Sequence, residues 1–326
     1  MVKQKELFLP ILKDGKYGFI NKNKEIVIKP KFKYVSERFK DGYCVIIYIK
    51  KINKSSKWVF GYIDKSGYTQ IFLHLDSAGE FNDGLAKISV DGRCGYIDKS
   101  LNIVIDPAFE SASNFKEGLA GIRMNKKWGY IDKSGNIVIN PNYTYVNLFC
   151  EERALVEYKN KYGYINKSGE FVISHIYDIA TDFSEGLAAV RINKKWGYID
   201  KFGNIIIDFI YDSAKPFSEG LAAICVDGKW GYINKSGIIV IEPIFDYACN
   251  FKEGLARFNI GADSLGKGSS NPKGGMWGFL NTLGKVHIIP MFDSISDFQD
   301  GYAQVIQGNN SNYIDKQGRL FLEFRN

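Results

Sequence analysis

The amino-acid sequence predicts an all-β repeat protein. Residues 127–139, Lys-Trp-Gly-Tyr-Ile-Asp-Lys-Ser-Gly-Asn-Ile-Val-Ile, recur with small changes nine times along the 326 residues. One glycine marks the register, and from Gly61 to Gly231 it returns every 34 residues, a period typical of repeat folds. Aromatic residues make up 15% of the chain and glycine is frequent, which suits short strands joined by tight turns. The register positions are Gly18, Gly61, Gly95, Gly129, Gly163, Gly197, Gly231, Gly278 and, in the ninth repeat, Asn312.

Each repeat is predicted to contain three antiparallel strands. In the sixth repeat these are residues 187–192, 196–199 and 205–207. The first two are joined by Asn193-Lys194, and other copies have Asp-Gly at this place. Asp-Gly between two apolar runs favours a two-residue hairpin, because both central positions need a positive φ.

A second turn joins the second and third strands of the repeat. It begins with Asp or Asn and usually ends with Gly, as in residues 132–135, which predicts a type I turn closed by a left-handed glycine. Lys24 and Leu101 take the place of that glycine, so those two turns are predicted to differ or to carry strain. A linker follows, residues 211–220 in the sixth repeat, which contains either a short fourth strand or a helical turn.

Two aromatic positions recur with the same period. An aromatic residue follows the register position, and a phenylalanine lies in every linker from Phe39 to Phe298. One ring per repeat at one place predicts a row of rings buried between neighbouring repeats, because a three-stranded unit alone is marginally stable. The residues after the register position are Phe19, Tyr62, Tyr96, Tyr130, Tyr164, Tyr198, Tyr232, Phe279 and Tyr313.

The repeated sequence Trp-Gly-Tyr-Ile-Asp-Lys-x-Gly, followed by Ile-Val-Ile and Phe-x-Glu-Gly-Leu-Ala, resembles the WG (KWG) repeat family of bacterial proteins. The resemblance covers essentially the whole chain. It implies a β-rich interaction module and supplies no catalytic residues. In five copies another residue replaces the tryptophan of the Trp-Gly pair. These replacements argue against the tryptophan as a ligand contact shared by all repeats. These residues are Tyr17, Phe60, Cys94, Tyr162 and Ser311.

The predicted architecture is a single repeat domain, residues 1–326, of nine three-stranded units. Loop insertions are predicted near residues 49–57 and 261–273, where the period is longer. The sequence begins with the first strand of a repeat and stops after the third strand of another. No sheet is therefore predicted to combine strands from both ends of the chain. We therefore predict an open twisted array or superhelix, with a closed propeller of eight or nine blades as the alternative.

No catalytic or metal-binding pattern is predicted. The three histidines and five cysteines fall at different repeat positions without ligand spacing. The Asp or Asn of the second turn is interpreted as a turn residue and not as a calcium ligand. The glycine-rich residues 266–270 are interpreted as a flexible loop, since no strand leads into them. The predictions are no enzyme, no cofactor and no metal.

With no secretory signal or apolar run long enough to span a bilayer, a cytoplasmic location is expected, or a secreted one if a leader was removed.

The remaining candidates for function are surface columns. Lysines recur in the second turn, and the net charge of +7 is a mild excess that does not indicate nucleic-acid binding. We predict a monomeric, non-enzymatic protein-interaction scaffold with an unknown protein partner. The alternative is a carbohydrate or cell-envelope binding module, which requires exposed tryptophans. The candidate surface residues are Lys65, Lys99, Lys133, Lys167, Lys201, Lys235, Trp128, Trp196, Trp230 and Trp277.

Overall fold

The computed structural model describes residues 8–52, 55–72, 74–263, 273–308 and 310–324. These residues form strands, turns and bends, and none of them is helical. Accordingly, no described segment is a helix with the length and apolarity that a membrane crossing requires. The glycine-rich residues 266–270 lie outside the described ranges. The chain divides into two compact units, residues 1–149 with 167–169 and residues 150–166 with 170–326.

The first unit contains four antiparallel sheets and one further strand. The sheets are β1 (Leu9–Lys13), β2 (Lys16–Ile20) and β3 (Ile26–Phe32); β4 (Tyr34–Val35), β5 (Tyr43–Ile52), β6 (Ser55–Asp64) and β7 (Thr69–Phe72); β8 (Ser77–Asn82), β9 (Leu85–Val90), β10 (Arg93–Ile97) and β11 (Ile103–Phe109); β12 (Ser111–Ala112), β13 (Leu119–Met124), β14 (Lys127–Asp132) and β15 (Ile137–Tyr143). The further strand is β16 (Tyr145–Val146).

The second unit repeats the same pattern. Its strands are β17 (Ala154–Tyr158), β18 (Lys161–Ile165) and β19 (Phe171–Tyr177); β20 (Ile179–Ala180), β21 (Leu187–Ile192), β22 (Lys195–Asp200) and β23 (Ile205–Tyr211); β24 (Ser213–Ala214), β25 (Leu221–Val226), β26 (Lys229–Asn234) and β27 (Ile239–Phe245); β28 (Tyr247–Lys252), β29 (Leu255–Asp263), β30 (Lys273–Asn281) and β31 (Val286–Phe292); β32 (Ser294–Ile295), β33 (Tyr302–Gln307), β34 (Asn310–Asp315) and β35 (Leu320–Phe324).

The all-β prediction is confirmed, but the predicted open array of three-stranded units is wrong. The linker supplies a short strand that pairs with the following hairpin: Ser213 pairs with Cys225 and Ala214 with Ile224. A complete sheet therefore has four strands in consecutive antiparallel order, which is the blade of a β-propeller. The described residues form nine such sheets, the first with three strands, and the fold is a nine-bladed β-propeller instead of a superhelix.

The register glycine is required by a close approach of two strands. At Gly129 an added Cβ would lie 2.3 Å from the carbonyl oxygen of Ile139 and 2.7 Å from the nitrogen of Pro141. The pairing of β14 with β15 shifts register across this glycine, between Trp128 and Tyr130, so β15 bulges over it. The neighbour of the glycine is thus backbone, and a side chain at this position would push the third strand away.

The predicted row of buried rings is confirmed for eight of its nine members, and Tyr313 is only partly buried. A pairing joins the two recurring aromatic positions. Tyr198 is 0% exposed, and its ring centroid lies 4.9 Å from that of Phe217 in the following linker. Its hydroxyl donates to the carbonyl oxygen of Lys215 at 2.8 Å. The same ring pair and hydroxyl bond occur at Tyr62, Tyr96, Tyr130, Tyr164 and Tyr232. Each ring therefore fills the space beneath a linker and also satisfies one of its carbonyls.

The second turn matches its prediction in detail. Asp132 Oδ1 accepts hydrogen bonds from the backbone N–H groups of Ser134 and Asn136, at 2.9 Å each. The carboxylate is thus used by its own turn, as expected for a turn residue. Lys24 and Leu101 form the same turn with φ of 65° each, so both carry the strain of a left-handed residue with a Cβ.

Both predicted insertions lengthen the same hairpin of their repeats. In the first, residues 49–52 of β5 pair with residues 55–58 of β6, so the strands extend beyond the repeat. In the second, Ala262 pairs with Gly274 and Asp263 with Lys273, while residues 264–272 lie outside the described ranges. The first insertion is therefore largely an extension of a sheet, which gives it a defined position.

Candidate interaction surfaces

The predicted lysine column is engaged in ion pairs with the linker acids. Each of these lysines lies in the second turn of one sheet and contacts the acid of the sheet before it. The pairs and their nitrogen–oxygen distances are Lys99–Asp41 (3.3 Å), Lys133–Asp83 (2.9 Å), Lys167–Glu117 (3.6 Å), Lys201–Glu151 (3.0 Å), Lys235–Glu185 (3.1 Å) and Lys316–Glu253 (3.2 Å). The lysines of the second turns are therefore interleaved with the acids of the linkers.

The same acids also accept hydrogen bonds from the backbone of the following sheet. Glu151 Oε2 accepts from the N–H of Gly186 at 3.0 Å, and Asp83 Oδ2 accepts from the N–H of Gly118 at 2.8 Å. Asp83 and Glu151 thus each link their own sheet to the next at two points, a turn glycine and a lysine. The lysines accordingly have a structural role. Lys65 differs from them, since its Nζ lies 5.2 Å from the centroid of the Phe8 ring.

This network predicts acid-sensitive stability. Burial opposes the ionisation of Glu151, but the hydrogen bond and charge of Lys201 outweigh it, so the pKa of this carboxyl lies below its ordinary value of 4.5. A carboxyl whose pKa is lower in the folded state contributes stability above its unfolded pKa and loses it as the pH falls through the folded pKa. We therefore expect the melting temperature to fall as the pH drops below 4.5.

Thermal melts followed by circular dichroism, from neutral pH into the acid range, measure this effect. Glu151→Gln should have a lower melting temperature than the parent at neutral pH. Its melting temperature should also fall less than that of the parent on acidification. The matched control is Glu242→Gln, because Glu242 is exposed and forms no ion pair among the described residues. Parallel pH profiles for the parent and Glu151→Gln would contradict the assigned role of Glu151.

A second lysine column supports the hairpins. Lys195 Nζ lies 2.8 Å from Asp212 Oδ1, and Asp212 Oδ2 accepts from the backbone N–H of Asp227 at 2.8 Å. Lys161–Asp178 and Lys229–Asp246 repeat this pair at 2.5 and 2.6 Å. Where a linker begins with aspartate, as at Asp178, Asp212 and Asp246, that aspartate fixes the tip of the following hairpin.

The four candidate tryptophans do not share one environment. Trp196 and Trp230 are buried, at 9% and 2% exposure, whereas Trp128 and Trp277 are partly exposed. Trp58, which is 58% exposed, is not among the predicted surface residues. Trp58 lies in the first insertion, outside the tryptophan position of the repeat, so the period gave no reason to choose it.

Trp58 borders an apolar cavity of about 460 Å³ in the first unit. We call this the Trp58 surface; its lining residues are Leu12, Gly15, Tyr17, Lys33, Tyr34, Ile47 and Trp58. The rings of Tyr17 and Tyr34 meet edge to face at 6.3 Å, and Tyr34 is 46% exposed. Ile47 and Trp58 belong to the long hairpin of β5 and β6, which forms one wall of the cavity. Aromatic residues around an apolar cavity are typical of protein-interaction hot spots.

The sequence around the Trp58 surface is strongly basic. Residues 8–66 contain 14 lysines and arginines and five aspartates and glutamates, a net charge of +9 that exceeds the +7 of the whole chain. The rest of the chain is consequently close to neutral, at −2. The positive net charge of the chain is therefore concentrated in the first two repeats.

The described residues contain no group of three or more His, Cys, Asp or Glu side chains placed to hold a metal ion. His175 packs against Tyr158 and Phe171, with ring centroids 5.1 and 4.9 Å away. Burial raises the pKa of the Cys44 thiol to about 12, so this thiol is protonated at neutral pH. These side chains belong to the packing of the sheets.

Fold and repeat together define this protein as a tandem-repeat β-propeller. The sequence model of the WG-containing repeat matches residues 17–47, 60–94, 95–128, 128–162, 162–196, 196–230, 230–262 and 277–310. The chain therefore belongs to the family of proteins with WG-containing repeats, as its resemblance implied. No curated protein matches it.

Solved structures similar to the chain include the crystal structure of the eukaryotic initiation factor. Its TM-score is 0.66 at 10% sequence identity, with 98% of this chain and 96% of that chain covered. At this identity the likeness concerns the fold alone. Hsv2 from Kluyveromyces lactis matches with a TM-score of 0.44 and 8% identity, over 73% of this chain and 93% of its own, a score too low to support a comparison.

Proposed function

We propose that this protein is a non-enzymatic interaction scaffold and that its Trp58 surface binds an acidic protein segment that inserts an apolar side chain. The observation that carries the proposal is the exposure of Trp58, at 58%, beside the apolar cavity. A large aromatic side chain on an extended hairpin contributes little to the packing of a blade at that exposure. Such a residue becomes favourable when a partner covers it.

The chemistry of the partner follows from the charge around the cavity. Lys33 lines the cavity itself, and residues 8–66 carry a net charge of +9. An acidic segment would be attracted to this region before contact and oriented there by the lysines. The apolar cavity of about 460 Å³ then gives room for one or two side chains such as leucine or phenylalanine.

The carbohydrate alternative receives less support. Sugar stacking on the repeat tryptophans requires their faces to be open, yet Trp196 and Trp230 are buried. Trp230 also packs against Tyr247, with ring centroids 5.3 Å apart. A regular row of sugar-stacking tryptophans is therefore not available in the second unit.

A peptide-display selection with acidic peptides that contain one apolar residue tests the proposal. We expect selected peptides to bind the parent protein and Trp58→Ala to weaken that binding at least about tenfold, as for an aromatic hot spot. Trp58→Ala should remain folded, because the side chain is largely exposed. The matched control is Phe202→Ala, which removes an aromatic ring that is 81% exposed in the second unit and should leave binding unchanged.

Three results would overturn the proposal. The selection could return no acidic peptide, or Trp58→Ala and Phe202→Ala could bind selected peptides equally well. The third result is that a single-stranded oligonucleotide competes with the peptides and binds more tightly than any of them. Its binding would also be weakened by Trp58→Ala. That outcome would assign the surface to nucleic acid, since exposed aromatic rings among lysines also suit stacked bases.

A further inference from the structure

A polar cavity in the second unit breaks the regularity of the repeats. Its volume is about 430 Å³, and its walls come from three consecutive sheets, with Lys215 after β24, Arg257 on β29 and Asp297 after β32. We call this the Lys215 cavity. It shares no lining residue with the Trp58 surface. Its lining is mainly polar, whereas that of the Trp58 surface is mainly apolar.

The other repeats show which residues are special here. At the place of Lys215 they have small side chains such as Gly79, Ser113 and Thr181. At the place of Arg257, Gly121 and Ala189 are among the residues found. Ser113 and Thr181 use their hydroxyls to accept from the backbone N–H of those two residues, at 2.8 and 3.1 Å. Lys215 thus takes the place of a hydroxyl that elsewhere accepts from a backbone N–H, and it meets Arg257 of the following sheet in one cavity.

Lys215 supplies a positive charge that no carboxylate balances. Its Nζ donates to the hydroxyl oxygen of Tyr247 at 2.8 Å and lies 4.2 Å from the centroid of that ring and 5.2 Å from that of Trp230. Tyr247 and Trp230 are buried, so the ammonium group is partly shielded from water. Within the described ranges, no Asp or Glu forms an ion pair with it. A partly desolvated cation without a counter-ion favours the binding of an anion.

The second cation of the cavity is already neutralised. Arg257 Nε lies 2.5 Å from Asp297 Oδ1, and one terminal nitrogen of Arg257 donates to the carbonyl oxygen of Ile295 at 3.0 Å. The guanidinium carbon lies 5.8 Å from the ring centroid of Trp277. The lining therefore carries one net positive charge, which matches a monoanion better than a phosphate dianion.

One residue of the cavity lining has an unsatisfied acceptor. Asn250 Oδ1 is buried and has no hydrogen-bond partner. A buried acceptor without a donor is costly, and a bound ligand with an N–H group removes that cost. The hydroxyl of Tyr247 accepts from Lys215 and has its own proton to donate, which an anionic oxygen can accept.

We propose that the Lys215 cavity binds a small ligand with a carboxylate beside an N–H donor. Lys215 and Tyr247 hold the carboxylate, and Asn250 accepts from the N–H. Two sources share this chemistry, a free α-amino acid and the C-terminal residue of a peptide. The volume of about 430 Å³ is within the range of small-molecule sites and accommodates either.

Isothermal titration calorimetry on the full chain tests the proposal and separates the two sources. The probes are pools of free L-amino acids, the tripeptide Ala-Gly-Phe and the same tripeptide with an amidated C-terminus. We expect at least one free amino acid or the free-acid tripeptide to bind, and amidation to abolish binding of the tripeptide. Binding of amino acids alone identifies a metabolite site, and binding of the tripeptide alone identifies a C-terminus site.

Variants test the assigned residues. Lys215→Met should weaken binding at least about tenfold. Lys215→Arg keeps the charge, so its affinity for the ligand should fall much less. The matched control is Lys252→Met, which removes the same charge from an exposed position on β28 and should bind like the parent. Thermal melts of all three variants show that each is folded. The proposal is wrong if no carboxylate probe binds, if inorganic phosphate binds more tightly than all of them, or if Lys215→Met and Lys252→Met bind equally.

Discussion

Replacing Tyr198 with alanine is expected to lower the free energy of unfolding by about 4 kcal/mol, the range found for large aromatic side chains removed from protein cores. Tyr198 is fully buried, packs against Phe217 and donates to the carbonyl of Lys215 at 2.8 Å. The substitution therefore opens a cavity beneath the linker and leaves that carbonyl without its donor. Urea denaturation followed by circular dichroism measures the change.

Tyr198→Phe separates the two contributions. It keeps the ring and removes the hydroxyl, so the loss should be about 1.5 kcal/mol, the usual effect of an unsatisfied buried carbonyl. The control is Tyr68→Ala, because Tyr68 is 66% exposed and its removal should change stability little. Burial raises the pKa of Tyr198 well above its ordinary value, so the hydroxyl is protonated and remains a donor at neutral pH. A loss for Tyr198→Ala no larger than that for Tyr68→Ala would refute the packing role.

Gly129→Ala is expected to cost about 3 kcal/mol, at the upper end of the effects of overpacking. The added methyl carbon would lie 2.3 Å from the carbonyl oxygen of Ile139, and this neighbour is backbone, which cannot rotate away. The third strand must therefore move, and its pairing with β14 must weaken. Chemical denaturation of the variant measures the loss.

The ninth repeat contains the natural control for Gly129. Asn312 occupies the register position there and pairs directly with Glu323 of β35. Because a side chain is already accommodated at this position, Asn312→Ala should cost less than about 1 kcal/mol. If Gly129→Ala were as mild as Asn312→Ala, the close approach would not be the reason for the glycine.

Much of each blade could be predicted from the sequence, because the features involved are local. The strand of residues 187–192 was predicted with the bounds that β21 has, and the hairpin after it follows from turn chemistry. The turn from Asp132 to Gly135 likewise depends on contacts within five residues. The short strand β24 was left undecided, since two residues carry too little pattern to distinguish a strand from a helical turn.

The candidate surfaces were much less predictable, because they depend on contacts between sheets. Lys201 and Glu151 are 50 residues apart in the chain, and only the packing of the sheets brings them to 3.0 Å. Trp58 lay outside the repeat pattern and Trp230 within it, yet the first is exposed and the second buried. Lys215 and Arg257 were unremarkable as sequence, and only their convergence defines a cavity.

The sequence by itself determined the all-β class, the period, the strands of the repeat and the aromatic positions, because each of these depends on residues close together in the chain. The tertiary structure decided that the linker completes a four-stranded blade, that the fold is a propeller instead of an open array, and which lysines and tryptophans remain available to a partner. Identical repeats can pack in more than one way, since the period fixes what each unit contains and not the angle at which it meets the next. That angle is set by contacts between units, such as the acids that join a lysine and a turn glycine of the following sheet.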